Sequence, residues 1–169
     1  MSEPYTIRIY VPDGDPAGAK IVELLNWTGI GIALPRSSWP QISKRKELNY
    51  SGVYILTGSA EETIDDLPTI YVGQGEEIKG RIESHYVNRD FWDWCYAFVG
   101  SGNLLNRAHI TWLEHSLIKM AVKANRCHLE NGTQPREPSL SESERADTKG
   151  FLQEMIRILP FVDFRNKLT

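Results

Sequence analysis

Two short apolar runs, SGVYILTG at 51–58 and PTIYVGQG at 68–75, constrain this chain more than any other feature. Each is rich in β-branched and aromatic residues, is bounded by glycine, and is too short for a stable helix. Only the acidic segment SAEETIDDL separates them, so they are expected to pair as an antiparallel hairpin. A lone hairpin is not stable in water, so further strands or helices must cover it. WCYAFVG at 94–100 supplies a third strand, expected at the centre and closed by the turn Gly100-Ser101-Gly102.

Helical patterns surround these strands. EEIKGRIESHYVN at 76–88 has helical composition. The stretch 103–125 is the longest helical pattern, with Leu104, Leu105, Ala108, Leu113, Leu117, Met120 and Ala121 expected inside. GTQPREPS at 132–139 breaks regular structure, and Ser141 with Glu144 three residues later forms a capping-box signature for a last helix that runs to Leu159 and closes at Pro160. Ahead of the hairpin, YTIRIYV at 5–11 and GIGIALP at 29–35 read as strands, and 37–48 as a short helix interrupted near Pro40. Asp15-Pro16 is a helix-start signal for AGAKIVELL, although IVELL also suits a strand. The first fifty residues thus read as a βαβα-like preface. The expected organisation is an N-terminal extension (1–50), a core (51–133) and a C-terminal linker with a helix packed on the core (134–169).

Composition narrows the function classes. With 169 residues, 41% hydrophobic and 24% charged, the chain is sized and composed for one globular domain. No apolar run approaches the ~20 residues that span a bilayer, and the N-terminus lacks the basic and apolar regions of a signal peptide, so a cytoplasmic protein without a membrane partner is expected. Cys95 and Cys127 form neither a disulfide framework nor a CxxC zinc pair. The net charge of −3 argues against a nucleic-acid partner until its distribution is read. Residues 59–70 carry Glu61, Glu62, Asp65 and Asp66 without a cation, whereas 36–58 carry Arg36, Lys44, Arg45 and Lys46 against Glu47 alone. Those four cations are candidates for a phosphate backbone, or are solvated surface charge.

Three features point to chemistry. Glu114 lies among Ile110, Thr111, Leu117 and Ile118 at helical spacing and needs a partner: a cation such as Arg81 from elsewhere in the fold, a metal, or hydrogen-bond donors. Arg81 and His85, four apart, project from one helix face, pairing a phosphate-gripping guanidinium with a proton-transferring imidazole. Tyr54 and Tyr71 occupy Gly52-Val53-Tyr54 and Tyr71-Val72-Gly73 on adjacent strands, where they serve either the site or the core.

Taken in order, GVY at 52–54, YVG at 71–73, Arg81, His85, Glu114 and Asn131 resemble the GIY-YIG nuclease superfamily of bacterial or phage type, with valine for isoleucine at Val53 and Val72. The resemblance covers roughly 50–133 and implies an α+β fold, a small three-stranded antiparallel sheet flanked by helices, here with an N-terminal α/β extension. It implies a metal-dependent endonuclease that hydrolyses DNA, with RNA also open, using one Mg²⁺ or Mn²⁺. By analogy Tyr54 acts as general base or polarises water, its pKa lowered or its proton taken by His85. Tyr71 orients phosphate or water, Arg81 neutralises phosphoryl charge, and Glu114 holds the metal. Asn131, with Asn125 as fallback, positions these groups, and Gly73 and Gln74 would contact nucleic acid. Two alternatives stay open: a catalytically silent nucleic-acid-binding module on the same fold, and an RNA or small-molecule phosphodiesterase.

Trp27 and Trp39 of the extension would stack a base or fill the joint with the core, with core filling favoured. His109, close to Glu114 in sequence, is a candidate supporting donor. Gly73-Gln74-Gly75 lacks the third glycine and ribose-binding acid of a dinucleotide fingerprint.

Overall fold

The structure, a computed structural model, describes residues 3–58 and 66–162. Its strands are β1 (Ile7–Tyr10), β2 (Lys20–Leu24), β3 (Gly29–Pro35), β4 (Gly52–Gly58), β5 (Thr69–Gly75), β6 (Trp92–Gly100) and β7 (His128–Leu129). Its helices are the four-residue α1 (Trp39–Ile42), α2 (Ile78–Asn88), α3 (Arg107–Ala124) and α4 (Glu142–Val162). Glu61, Glu62 and Asp65 of the acidic segment lie outside the described residues.

The chain is α+β, but the small three-stranded antiparallel sheet expected from the sequence is corrected. The strands β4, β5 and β6 pair with one another inside a seven-stranded mixed sheet of order β1-β2-β3-β6-β4-β5-β7, in which β5 and β7 are parallel. The physical reason lies at β6. Its second edge would be a row of unpaired backbone groups, and β3 satisfies them in continuous register from Gly29↔Gly100 to Pro35↔Trp94. β2 and β1 then extend the sheet antiparallel.

The α/β extension becomes a three-stranded meander with one short helix. Residues 20–24 form a strand because both of their faces are covered: Ile21 joins the cluster beneath α1 and α2, while Val22 and Leu24 join the cluster beneath α3 and α4. A strand buried on both sides loses the alternation that separates it from a helix. The Asp15-Pro16 signal serves a turn instead, in which Asp13 Oδ1 accepts from Asp15 N and Asp15 Oδ1 from Ala17 N, each at 2.9 Å.

Two helical layers sandwich the sheet. On one face Val53, Ile55, Val72 and Phe98 pack against Leu113, Leu117, Phe151 and Met155 from α3 and α4. On the other, Tyr54, Leu56 and Ala97 pack against Trp39, Ile42, Ile78 and Ile82 from α1 and α2. The start of α3 is later than expected. Asn106 caps it by accepting from His109 N at 2.8 Å, which leaves Leu104 outside the helix and exposed rather than buried. Ser141 Oγ accepts from Glu144 N at 3.2 Å, as its capping signature predicts. The helix continues past Pro160 to Val162.

Register sets one further fact. Gly29 faces Gly100, Gly52 faces Val99, and Gly52 also faces Gly75, so the start of β3, the end of β6, the start of β4 and the end of β5 share one end of the sheet. Among the described residues, no helix is long and apolar enough to cross a membrane.

Candidate active site

Tyr54 stands fully buried on β4, facing α2. Its hydroxyl lies 2.9 Å from His85 Nε2. The pairing Tyr54↔Gly73 and Leu56↔Tyr71 makes the two tyrosines diagonal neighbours on one face, their ring centroids 6.4 Å apart, with the His85 ring 4.7 Å from that of Tyr71. Glycine at two positions makes this packing feasible. A Cβ at Gly73 would fall on the Tyr54 phenol, and one at Gly75 would lie 2.8 Å from Arg81 Cγ. The YVGQG sequence is thus a cradle for a tyrosine ring and an arginine stem.

Burial and charge set the protonation states. Burial raises the Tyr54 hydroxyl above its ordinary pKa, Tyr71 adds to the shift, and a hydrogen bond from Arg81 opposes it. His85 is pushed down to about 4 by burial first, then by the positive charges of Arg89 and Arg81. At neutral pH the imidazole is therefore uncharged and the phenol protonated. The hydroxyl donates and Nε2 accepts. A tyrosinate formed by a lowered pKa, one of the two routes expected from the sequence, does not fit this environment.

Glu114 projects from α3 toward the end of β5. Gln74 Nε2 lies 3.5 Å from Glu114 Oε1 and 3.2 Å from Thr111 Oγ1. Burial raises the Glu114 pKa, the Gln74 hydrogen bond and the Arg81 charge opposing it. Among the described residues no group of three or more His, Cys, Asp or Glu side chains could hold a metal, so any cation here would rest on this carboxylate. A hard cation such as Mg²⁺ accepts one protein carboxylate when phosphates and water complete its shell, and a half-buried carboxylate beside a neutral amide suits that demand.

No family model, curated protein or solved structure matches this chain.

Asn131 stands beyond β7 and acts on backbone. Its Oδ1 accepts from Val72 N at 3.0 Å and its Nδ2 donates to Val72 O at 2.7 Å, fixing β5 between Tyr71 and Gly73. The fallback Asn125 instead ends α3 in the left-handed conformation, with φ 50°.

The expected phosphate-backbone cations divide. Arg36 is committed to structure: Nη1 donates to Arg89 O at 2.7 Å, Nη2 donates to Tyr86 O, and its guanidinium stacks on Tyr86 and Trp92. It closes the C-terminal end of α2, whose last carbonyls have no helical partner. Arg45 pairs with Glu47 at 3.2 Å, while Lys44 and Lys46 are exposed. Gly73 is buried under Tyr54, and Gln74 is half-buried against α3. His109 completes the α3 capping box, and His115 Nδ1 meets Pro135 O at 2.8 Å.

Trp39 lies inside the α1–α2 layer, its indole donating to Glu83, and Trp27 packs on Phe151 at 5.1 Å. Both tryptophans fill the joint, as favoured from the sequence. One cation escaped the sequence altogether. Arg89 stacks on Tyr71 at 4.6 Å, so Tyr71 is flanked by His85 and a second guanidinium. Its spacing from Arg81 is eight residues, which marks one helix face only if α2 extends to its cap.

Proposed function

We propose that this chain is a metal-dependent endonuclease that hydrolyses phosphodiester bonds in DNA, on the GIY-YIG plan. The observation that carries the reading is the 2.9 Å contact between the buried Tyr54 hydroxyl and an uncharged His85, beside Arg81. A phenol that donates to a neutral imidazole and accepts from Arg81 keeps its second oxygen lone pair for a water. When that water attacks phosphorus, its proton passes to the Tyr54 oxygen while the phenolic proton moves to His85 Nε2. Tyrosine is regenerated and no free tyrosinate forms. Arg81 neutralises the charge growing on the phosphoryl oxygens, and Tyr71 orients the phosphate from its place between His85 and Arg89.

Glu114 would hold Mg²⁺ or Mn²⁺. Bound there, the cation supplies charge neutralisation at the phosphate and the leaving oxygen. Gln74 keeps the carboxylate turned toward the end of β5, and Asn131 holds the strand that carries Tyr71, Gly73 and Gln74.

A cleavage assay on mixed DNA and RNA with Mg²⁺ against EDTA tests the reading, with Tyr54→Phe run beside wild type. DNA cleavage lost both in EDTA and in Tyr54→Phe is the expected result. Binding without cleavage by wild type in Mg²⁺ or Mn²⁺ would make the chain a silent nucleic-acid module. Cleavage of RNA or small phosphodiesters alone would move the substrate class.

A further inference from the structure

The hydrolysis described above gives Arg89 no contact with the substrate, yet three interactions hold the residue in place. Its backbone N–H donates to His85 O at 2.9 Å at the end of α2, and its carbonyl accepts from Arg36 Nη1 at 2.7 Å. With the backbone pinned on both sides, the half-buried side chain lays its guanidinium on the Tyr71 ring of β5, 4.6 Å from the centroid. That ring lies in turn 4.7 Å from the ring of His85. A side chain as long as arginine gives up much rotamer freedom to lie in one place, and an aromatic stack in a partly exposed position offsets only part of that cost.

Charge adds to the cost unless an anion is present. Arg81 and Arg89 both act on the His85 imidazole and oppose its protonation. Among the described residues neither guanidinium forms an ion pair with a carboxylate. Two cations gathered at one aromatic cluster repel, and partial burial limits the screening that water gives them. An anion that meets both forks removes the repulsion. A guanidinium fork matches carboxylate or phosphate, and beside Arg81, which the proposed reaction sets on the scissile phosphate, the available anion is phosphate. The two forks have separate anchors. Arg81 is tied to the Tyr54 hydroxyl on β4 and Arg89 to the Tyr71 ring on β5, the two ring centroids being 6.4 Å apart. Eight residues of α2 separate their Cα atoms by about 12 Å along the helix. Forks anchored apart in this way meet separate phosphates of one strand.

We propose that Arg89 is a second phosphate contact, gripping a phosphodiester that flanks the scissile one. This rests on the nucleic-acid reading above, but it is tested without cleavage. Affinity for a mixed-sequence DNA duplex and for its single strand is measured by fluorescence anisotropy in EDTA over a series of salt concentrations. The solution is kept at about pH 8, above the ordinary imidazole pKa of ~6.5, so that His85 is uncharged in every variant. Each phosphate contact contributes about 0.9 to the slope of log affinity against log salt on a duplex and about 0.7 on a single strand. Arg89→Met should lower the slope by that amount and weaken binding roughly tenfold at low salt. Arg89→Lys keeps the charge but not the fork, so the slope should hold while affinity falls. Lys149→Met removes an exposed cation from α4, on the opposite face of the sheet, and should leave the slope unchanged.

An unchanged slope in Arg89→Met, or an equal fall in Lys149→Met, would overturn the contact and leave Arg89 as a group that only braces Tyr71 and acts on His85. Should Arg89→Met fail to fold, Arg89→Lys still decides: lower affinity at equal slope supports the contact, and equal affinity overturns it. Because the readout needs no metal, a lowered slope in a chain that cleaves nothing would uphold the contact and sink the hydrolase. DNA cleavage with an unchanged slope would do the reverse, and a wild type that binds no DNA would sink both.

Discussion

The two faces of the sheet are built to different ends. The face beneath α2 brings together two tyrosines, a histidine and two arginines, and glycine at 73 and 75 gives the Tyr54 ring and the Arg81 stem their room. The face beneath α3 and α4 is apolar along its length and offers Glu114 only at its margin, against Gln74 and Thr111. The tyrosine–histidine cluster and the carboxylate thus reach the end of β5 from opposite sides. Alternation makes this division: Tyr71, Gly73 and Gly75 point one way, Val72 and Gln74 the other.

Removing the carboxylate should break the comparison most severely. Glu114→Ala is expected to abolish Mg²⁺-dependent cleavage while the melting temperature holds or rises, because a carboxylate whose ionisation is opposed by burial does not stabilise the fold. Persistent cleavage with an unchanged metal-dependent melting shift would return Glu114 to an ion-pair role. Tyr54→Phe comes next, with a loss of ~10²–10⁴-fold in turnover and little change in stability, since the ring still fills its place. A near-wild-type rate would leave the α2 face with Arg81 alone.

Gly73→Ala tests the cradle. Its methyl would meet a ring that is fully buried and cannot move aside, so a stability loss of about 1–3 kcal/mol is expected together with lost cleavage, read by urea titration. A stable, active variant would show that the tyrosine has another resting place.

The pH profile sharpens the same face. His85 accepts the Tyr54 proton only while uncharged, so on this count activity should be lost as pH falls through about 4, rather than near the ordinary imidazole pKa of ~6.5. Glu114, raised from its ordinary value, also protonates on that limb, and His85→Ala isolates its share. The charged or titratable groups facing His85 are Tyr54, Tyr71, Arg81 and Arg89. Arg89→Ala removes one of the two cations that oppose protonation and should move the His85 midpoint upward, as ¹H NMR of the imidazole would report. A midpoint that stays in place would assign the shift to burial and Arg81.

Arg36→Ala should have the smallest effect on chemistry. It frees the closing carbonyls of α2 at a cost of about 1–3 kcal/mol of stability, and DNA affinity should follow only that loss. A weakening of DNA binding beyond it, with a shallower salt dependence, would restore Arg36 as a phosphate contact.

Much of this was legible locally. The hairpin, the central β6, the α2 spacing of Arg81 and His85, and the Ser141 cap all rest on neighbours in sequence, where periodicity and turn chemistry act directly. The bonds of Arg36 to the α2 carbonyls were not legible because a surface cation and a helix-closing cation have the same composition, and only the fold brings those carbonyls to it. Arg89 was missed because it lies one residue past the helix that would have set its face.

The sequence by itself determined that a glycine-bounded hairpin would form and which side chains of β4, β5, α2 and α3 share a face, since alternation and helical spacing are local properties. The tertiary structure alone decided the rest. Whether that hairpin belongs to a sheet of three strands or of seven depends on the unpaired edge of β6 finding β3, a match between segments some sixty residues apart. Whether Tyr54 keeps its proton and His85 stays uncharged depends on burial and on the charges of Arg81 and Arg89, which no window of sequence contains.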